Sequence, residues 1–176
     1  MRFRTGDEIC RQLKIEGKTE ELRKRGPGAD ALELYRSHNV IVDHCSASWS
    51  IDETFSVYNC SSVTVQWCIV SESLHNSYHR KGPHGMGAIL GGWGISYHHN
   101  ILAHHNARSP RPSSIRRWKN FPSTDIDFRN NIVYNWGSVA GYNQSYTDKN
   151  GVQLRGHHRI NYINNYFKPE IYSCNN

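Results

Sequence analysis

The sequence predicts an all-β chain wound as a solenoid, a parallel β-helix, and two features carry that prediction. The first is self-similarity: "ALELYRSHNVIVDHC" (31–45) lies over "TFSVYNCSSVTVQWC" (54–68) without a gap, a period of 23 residues. The second is a recurrent pair of apolar residues two apart: Val40/Val42, Val63/Val65, Ile95/Tyr97, Ile126/Phe128 and Ile160/Tyr162. Alternation with period two sends both members of a pair to one side of a strand, so each pair marks an inward face. Short strands that recur in this way, without helical periodicity, bury their apolar side by stacking coil on coil. An antiparallel β-sandwich is the competing arrangement, but its strands need not repeat at a fixed interval with matched inward pairs.

Taken in order, "MRFRTGDEI" enters strand-like sequence directly and has no apolar stretch of the kind a secretion signal carries. Residues 1–176 are expected to form a single β-helix domain, and a partial one, truncated at the N-terminus. "EGKTEELRKRGPG" (16–28) reads as a charged, glycine-bounded loop with one helical turn at most. Two ungapped coils follow, and later coils end in "GISYHHN", "DIDFRNN" and "RINYINN", at Asn100, Asn131 and Asn165. Together with Cys45 and Cys68, these asparagines are expected to form one ladder. An amide side chain both donates and accepts, so it can serve its own turn and the neighbouring rung. Cysteine fills the same slot as a small buried group or as half of a cross-rung disulfide. "RPSSIRRWKNFPST" (111–124) and "NWGSVAGYNQSYTDKNG" (135–151) read as loops projecting from the coils.

A net charge of +6 over 176 residues marks a basic surface suited to an anionic partner: nucleic acid, an acidic membrane or an acidic polysaccharide. No apolar run approaches the roughly 18 residues that would suggest a membrane span, and of these three partners the membrane is not expected. Cys10, Cys45, Cys60, Cys68 and Cys174 show neither a zinc-type paired spacing nor a CxxC motif, so a zinc site is not expected.

Stacking turns sequence offsets into geometry. Eight residues beyond successive ladder positions stand Glu53, Asn76 and Arg108, and seven beyond stand Asp52, His75 and Ala107. With rungs about 4.8 Å apart, the acidic pair and the arginine are expected on one face, about 10 Å from each other. Asp43 points outward in a column with Gln66, His98 and Arg129, and is expected to join the acidic group from the strand side. Carboxylates crowded together raise one another's pKa unless a cation neutralises them. Calcium suits an all-oxygen set, whereas zinc asks for sulfur or imidazole donors. The plain alternative is a solvated turn paired with lysines and arginines. "LHNSYHRKGPHGMGAILGG" (74–92) and "HHNILAHHNARSPRP" (98–112) bring basic groups to the same face, with Arg111 either bracing backbone or touching substrate. Nucleic acid is disfavoured as partner, because the acidic group would repel phosphate.

These stretches resemble family-1 polysaccharide lyases, the pectate lyases. The resemblance runs through "RFRTGDE", "NVIVDHCSASWSIDE", "VTVQWCIVSESLH", "HRKGPHGMGAILGG" and "ISYHHNILAHHNARSPR", then "NNIVYNWG" and "INYINNYF". It implies a right-handed parallel β-helix, secreted and monomeric, that cleaves polygalacturonate by calcium-dependent β-elimination into unsaturated oligogalacturonates. Residue by residue, it implies Asp43 and Asp52 as calcium ligands and Arg108, first arginine of RSPR, as the base. A further calcium aspartate of the family falls on Ser56, so Glu53 or Glu72 stands in. The family's substrate-binding lysine falls on His75, with Lys81 as the nearby replacement. A second family arginine falls on Ser113, leaving Arg111, Arg116 or Arg117 to compensate. Two other readings remain: a polyuronate hydrolase on the same scaffold, which would use paired aspartates, and a non-catalytic module that binds acidic polysaccharide.

Overall fold

The computed structural model describes residues 1–18, 20–21, 29–79, 81–113, 123–143, 146–147, 153–154 and 157–170. The strands begin with β1 (Arg2–Arg4), β2 (Leu32–Tyr35), β3 (His38–Asp43), β4 (Ser46–Ser48), β5 (Glu53–Gln66) and β6 (Ile69–Ser71). They continue with β7 (Met86–His98), β8 (Ile101–Ala103), β9 (Arg111–Pro112), β10 (Ser123–Arg129) and β11 (Ile132–Tyr134). The last are β12 (Tyr146–Thr147), β13 (Gln153–Leu154), β14 (His157–Ile163) and β15 (Tyr166–Lys168). Among the described residues every pairing between these strands is parallel except the short β12–β13 ladder.

One sheet runs β1-β4-β6-β8-β11-β15, and a second runs β14-β10-β7-β5-β2, with β3 also on β5 and β9 also on β7. Strand β5 serves two neighbours because it bends: its register slips between Tyr58 and Cys60, and Asn59 takes a left-handed φ of 55°. Its first half pairs with β2 and its second half with β3. The 23-residue offset appears directly in the pairing of Val40 with Val63 and of Leu32 with Phe55. The offset widens between β5 and β7, where Val63 pairs with Ile95, because a loop is inserted between β6 and β7. This arrangement of parallel sheets is consistent with the β-helix that the repeat predicts.

The inward pairs stack as expected. Val63 pairs with Ile95 and Ile95 with Ile126, while Val65 pairs with Tyr97 and Tyr97 with Phe128. All six of these residues are buried, and the rings of Tyr97 and Phe128 stack with centroids 5.6 Å apart. Tyr162, in the last described coil, is 46% exposed because no further described coil covers it.

The polar ladder also forms. Asn100 Oδ1 accepts from the Cys68 N–H at 2.9 Å, Asn131 Oδ1 from the Asn100 N–H at 3.0 Å, and Asn165 Oδ1 from the Asn131 N–H at 3.0 Å. In each coil the residue just before the ladder position is left-handed: His44, Trp67, His99, Asn130 and Asn164, with φ between 51° and 55°. Bulky side chains rarely adopt that conformation. At Trp67, His99 and Asn130 the amide of the next coil's asparagine fixes the turn, so those corners do not require glycine. Cys10, Cys45, Cys60 and Cys68 are free thiols, so the disulfide alternative for Cys45 and Cys68 falls away; Cys174 lies outside the described residues.

The structure departs from the expected strand-like start in one respect, a helix α1 (Glu8–Ile15) after β1. Cys10 and Leu13, three apart, are its buried residues. Glu8 in the first turn and Lys14 in the last complement the helix dipole. Two buried residues in eight are too few to register as helical periodicity.

Candidate active site

The acidic turn sits where β5 begins. Asp52 immediately precedes the strand, Glu53 opens it, and the Glu53 N–H donates to Asp30 Oδ1 at 3.2 Å across the neighbouring coil. Asp30, Asp52 and Glu53 each present a carboxylate oxygen within 4.8 Å of the others. Burial pushes the Asp30 carboxyl up to about 7; a hydrogen bond with Ser56 opposes the rise and the charge of Asp52 adds to it.

Arg108 reaches this group from two rungs away. Glu53 and Ala107 each pair with Met86, which puts one coil between the acidic turn and the arginine. Arg108 Nη1 forms an ion pair with Glu53 Oε1 and lies 3.7 Å from Asp52 Oδ1. Its Nε donates to the Tyr142 hydroxyl at 3.1 Å. Gly87 makes room beneath: a Cβ there would stand 2.5 Å from the Arg108 carbonyl oxygen and 2.6 Å from Ser109 Oγ.

The loop between β6 and β7 closes the other side. His79 and His84 stack with ring centroids 4.2 Å apart and planes within 11°. His84 Nε2 lies 3.0 Å from Asp52 Oδ1, and His79 Nε2 lies 3.4 Å from Asp52 Oδ2. Asp52 Oδ1 and His84 Nε2 are both buried, facing each other across this ion-pair contact. Burial holds the His84 imidazole below its usual pKa, against the opposing pull of Asp52. His79 Nδ1 accepts the Lys81 backbone N–H at 3.2 Å, so in the neutral ring the proton sits on Nε2, facing Asp52.

The structure brings Asp52, Glu53 and Arg108 together, and it separates Asp43 from them. Asp43 pairs in register with Gln66 at the far end of β5 and bonds to His44 Nδ1 at 2.7 Å. The bend in β5 is the reason, since Asp43 belongs to the half beyond it. Asp30 takes the place expected of Asp43. Extending the 23-residue repeat back by one position lays Asp30 over Glu53, a signal present in the sequence but not used.

The expected middle rung also changes. Met86, not His75 or Asn76, pairs with Glu53, because the β6–β7 loop is inserted at that point. His75 instead accepts the Gly85 N–H on Nδ1 at 3.3 Å and lines a cavity of about 360 Å³ with His104, Asn106, Asn135 and Trp136. Lys81 is exposed on the loop that carries the two histidines. Arg111 lies on β9 opposite Ile89, with its guanidinium 5.6 Å from the centroid of the Tyr142 ring. Arg116 and Arg117 fall outside the described residues. Sequence reasoning assigned no role to Asp30, His79, His84 or Tyr142; the histidine pair was legible only as part of a basic segment.

No protein-family model matches the chain. A protein of Aspergillus flavus named probable pectate lyase C is 31% identical over 164 residues, covering 92% of this chain and 32% of the relative. Proteins of the same name from Neosartorya fischeri and Aspergillus terreus are both 33% identical, over 92% and 77% of this chain. The chain thus spans about a third of the length of these relatives, 32% and 28% of the last two. Likeness over most of its own length to proteins so named supports a place for this chain in the pectate lyase family.

Proposed function

We propose that the chain forms the core of a right-handed parallel β-helix that cleaves polygalacturonate by calcium-dependent β-elimination, as a secreted monomer. The observation that carries this reading is the juxtaposition of Arg108 with the buried carboxylates of Asp52 and Glu53. A donor set of three carboxylates with oxygens within 4.8 Å of one another fits a hard cation. Asp30, Asp52 and Glu53 would hold calcium there; when bound it draws charge from a uronate carboxylate and so acidifies the neighbouring C5 proton.

The chain's own residues supply the rest. Arg108 is held between Glu53 and Tyr142, so its side chain is aimed before substrate arrives, and its neutral guanidine form is the one that would take the C5 proton and become guanidinium. His75, Lys81 and Arg111 are the substrate contacts, and the net charge of +6 attracts a polyanion in a manner weakened by salt.

Incubation with polygalacturonate and calcium at alkaline pH tests the proposal by the ultraviolet absorbance of the unsaturated product. Chelation is expected to abolish that product, and Arg108→Ala to lower its rate by about 10²–10⁴, the usual contribution of a general base. Absence of unsaturated product from the unaltered protein overturns the reading. New reducing ends without a double bond would favour a hydrolase, and binding without turnover a non-catalytic module.

A further inference from the structure

We propose that the Tyr142 hydroxyl is the acid of the elimination: it protonates the glycosidic oxygen that leaves C4 while Arg108 takes the C5 proton. The proposal rests on the lyase reading of Arg108 and deepens it by naming the residue that serves the leaving group.

The chemistry sets the need. A sugar alkoxide departs slowly unless a positioned group gives the oxygen a proton. Asp30, Asp52 and Glu53 are engaged as the cation's ligands in the same reading, so the donor has to come from another side of Arg108. Arg108 Nη1 is taken by Glu53, and Nε donates to the Tyr142 hydroxyl at 3.1 Å. Both of those nitrogens carry protons. That leaves Nη2, which has no hydrogen-bond partner among the described residues, to receive the proton from C5. A hydroxyl can accept one bond and still donate its own proton. The Tyr142 O–H has no acceptor among the described residues, and the residue is 39% exposed, so that proton is open to a ligand.

The fold brings the phenol to Arg108 from one rung further on. Strand β8 pairs with β11, and the turns that follow them run side by side. The Gly137 N–H donates to the His105 carbonyl at 2.9 Å, and the Ser109 N–H to the Ala140 carbonyl at 2.6 Å. Gly141 lets the second turn lie directly on the first, since a Cβ there would stand 2.6 Å from the Pro110 carbonyl oxygen. The Arg111 guanidinium, 5.6 Å from the ring centroid, holds the phenol from another direction. Ring and oxygen are both fixed, while the O–H stays available.

The step balances. The C5–H electron pair becomes the second bond between C4 and C5, and the proton goes to Arg108 Nη2. The C4–O4 pair leaves on O4, which takes the Tyr142 proton. The guanidinium and phenolate so formed face each other across the Nε contact, and the Nε proton passes to the phenolate, leaving both groups neutral again.

Tyr142→Phe in the full chain tests the proposal, because it keeps the ring and removes only the hydroxyl. On polygalacturonate the variant should form unsaturated product about 10²–10⁴ more slowly, the usual contribution of a general acid. On a galacturonide whose O4 carries a para-nitrophenyl group, which departs without a proton, the loss should be no more than about tenfold, the effect of the one hydrogen bond to Arg108. In heavy water the variant should also place deuterium at C5 of uncleaved polymer, since the proton still comes off while the C4–O4 bond holds. Equal losses on the two substrates with no deuterium at C5 mean that Tyr142 only aims Arg108, and overturn the proposal. Cleavage of polygalacturonate at the parent rate overturns it too. In both cases unsaturated product from the unaltered chain keeps the lyase reading standing; absence of that product takes reading and proposal down together.

Discussion

Replacing Asn131 with alanine removes the central link of the polar ladder. The side chain is 1% exposed and makes four hydrogen bonds across the coils. Its oxygen accepts from the Asn100 N–H at 3.0 Å and from Asn100 Nδ2 at 3.1 Å; its nitrogen donates to the Tyr97 carbonyl at 2.9 Å and to Asn165 Oδ1 at 3.0 Å. Leaving the buried Asn100 N–H without its acceptor costs about 1–3 kcal/mol, and each of the other three lost bonds about 0.5–1.5 kcal/mol. The expected loss is therefore about 3–7 kcal/mol, comparable with the whole stability of many domains. Asn165→Ala, at the half-buried last rung, should cost only about 1 kcal/mol, because water can replace part of what is lost. Urea unfolding followed by tryptophan fluorescence measures both. If Asn131→Ala lies within about 0.5 kcal/mol of the unaltered chain, or if Asn165→Ala costs more, the ladder does not hold the coils in register.

Two further outcomes follow from the residues around Arg108. His105 is fully buried, donating from Nε2 to the Val70 carbonyl and accepting from Ser73 Oγ, and burial lowers its pKa to about 4. The unfolded chain therefore takes up this proton first: stability is full above the unfolded value near 6.5 and falls as pH drops from there to about 4, by about 3 kcal/mol in all. Unfolding midpoints measured across that window check it, and His105→Gln should flatten the slope there. Gly87→Ala should push the Arg108 backbone aside, because the added carbon meets its carbonyl at 2.5 Å. The expected result is a stability loss of about 1–3 kcal/mol with at least tenfold lower lyase turnover, read from thermal melts and initial rates.

What could be read from the sequence divides by how local its physics is. The inward pairs and the asparagine ladder were legible, because period-two burial and a two-way amide leave a mark in every coil. Arg108 beside Asp52 and Glu53 was legible for the same reason, as the offset from the ladder survives stacking. Asp43 was misplaced because the offset says nothing of where a strand bends, and the kink at Asn59 moves it to another face. His79 and His84 escaped assignment because they come from an inserted loop with no counterpart in the repeat. Helix α1 has only Cys10 and Leu13 to bury, too short a signal to separate from a loop.

The column of left-handed corners at His44, Trp67, His99, Asn130 and Asn164 separates two tasks that turns usually combine. At Trp67, His99 and Asn130 chain direction is set from inside, by the amides of Asn100, Asn131 and Asn165, so the outward side chains there are released from shaping the turn. Some already pile face to face, Trp67 on His99 with centroids 4.5 Å apart. That edge is thus a ruled margin on which chosen groups can be written at one per coil, about 4.8 Å apart, with the text inside left unaltered.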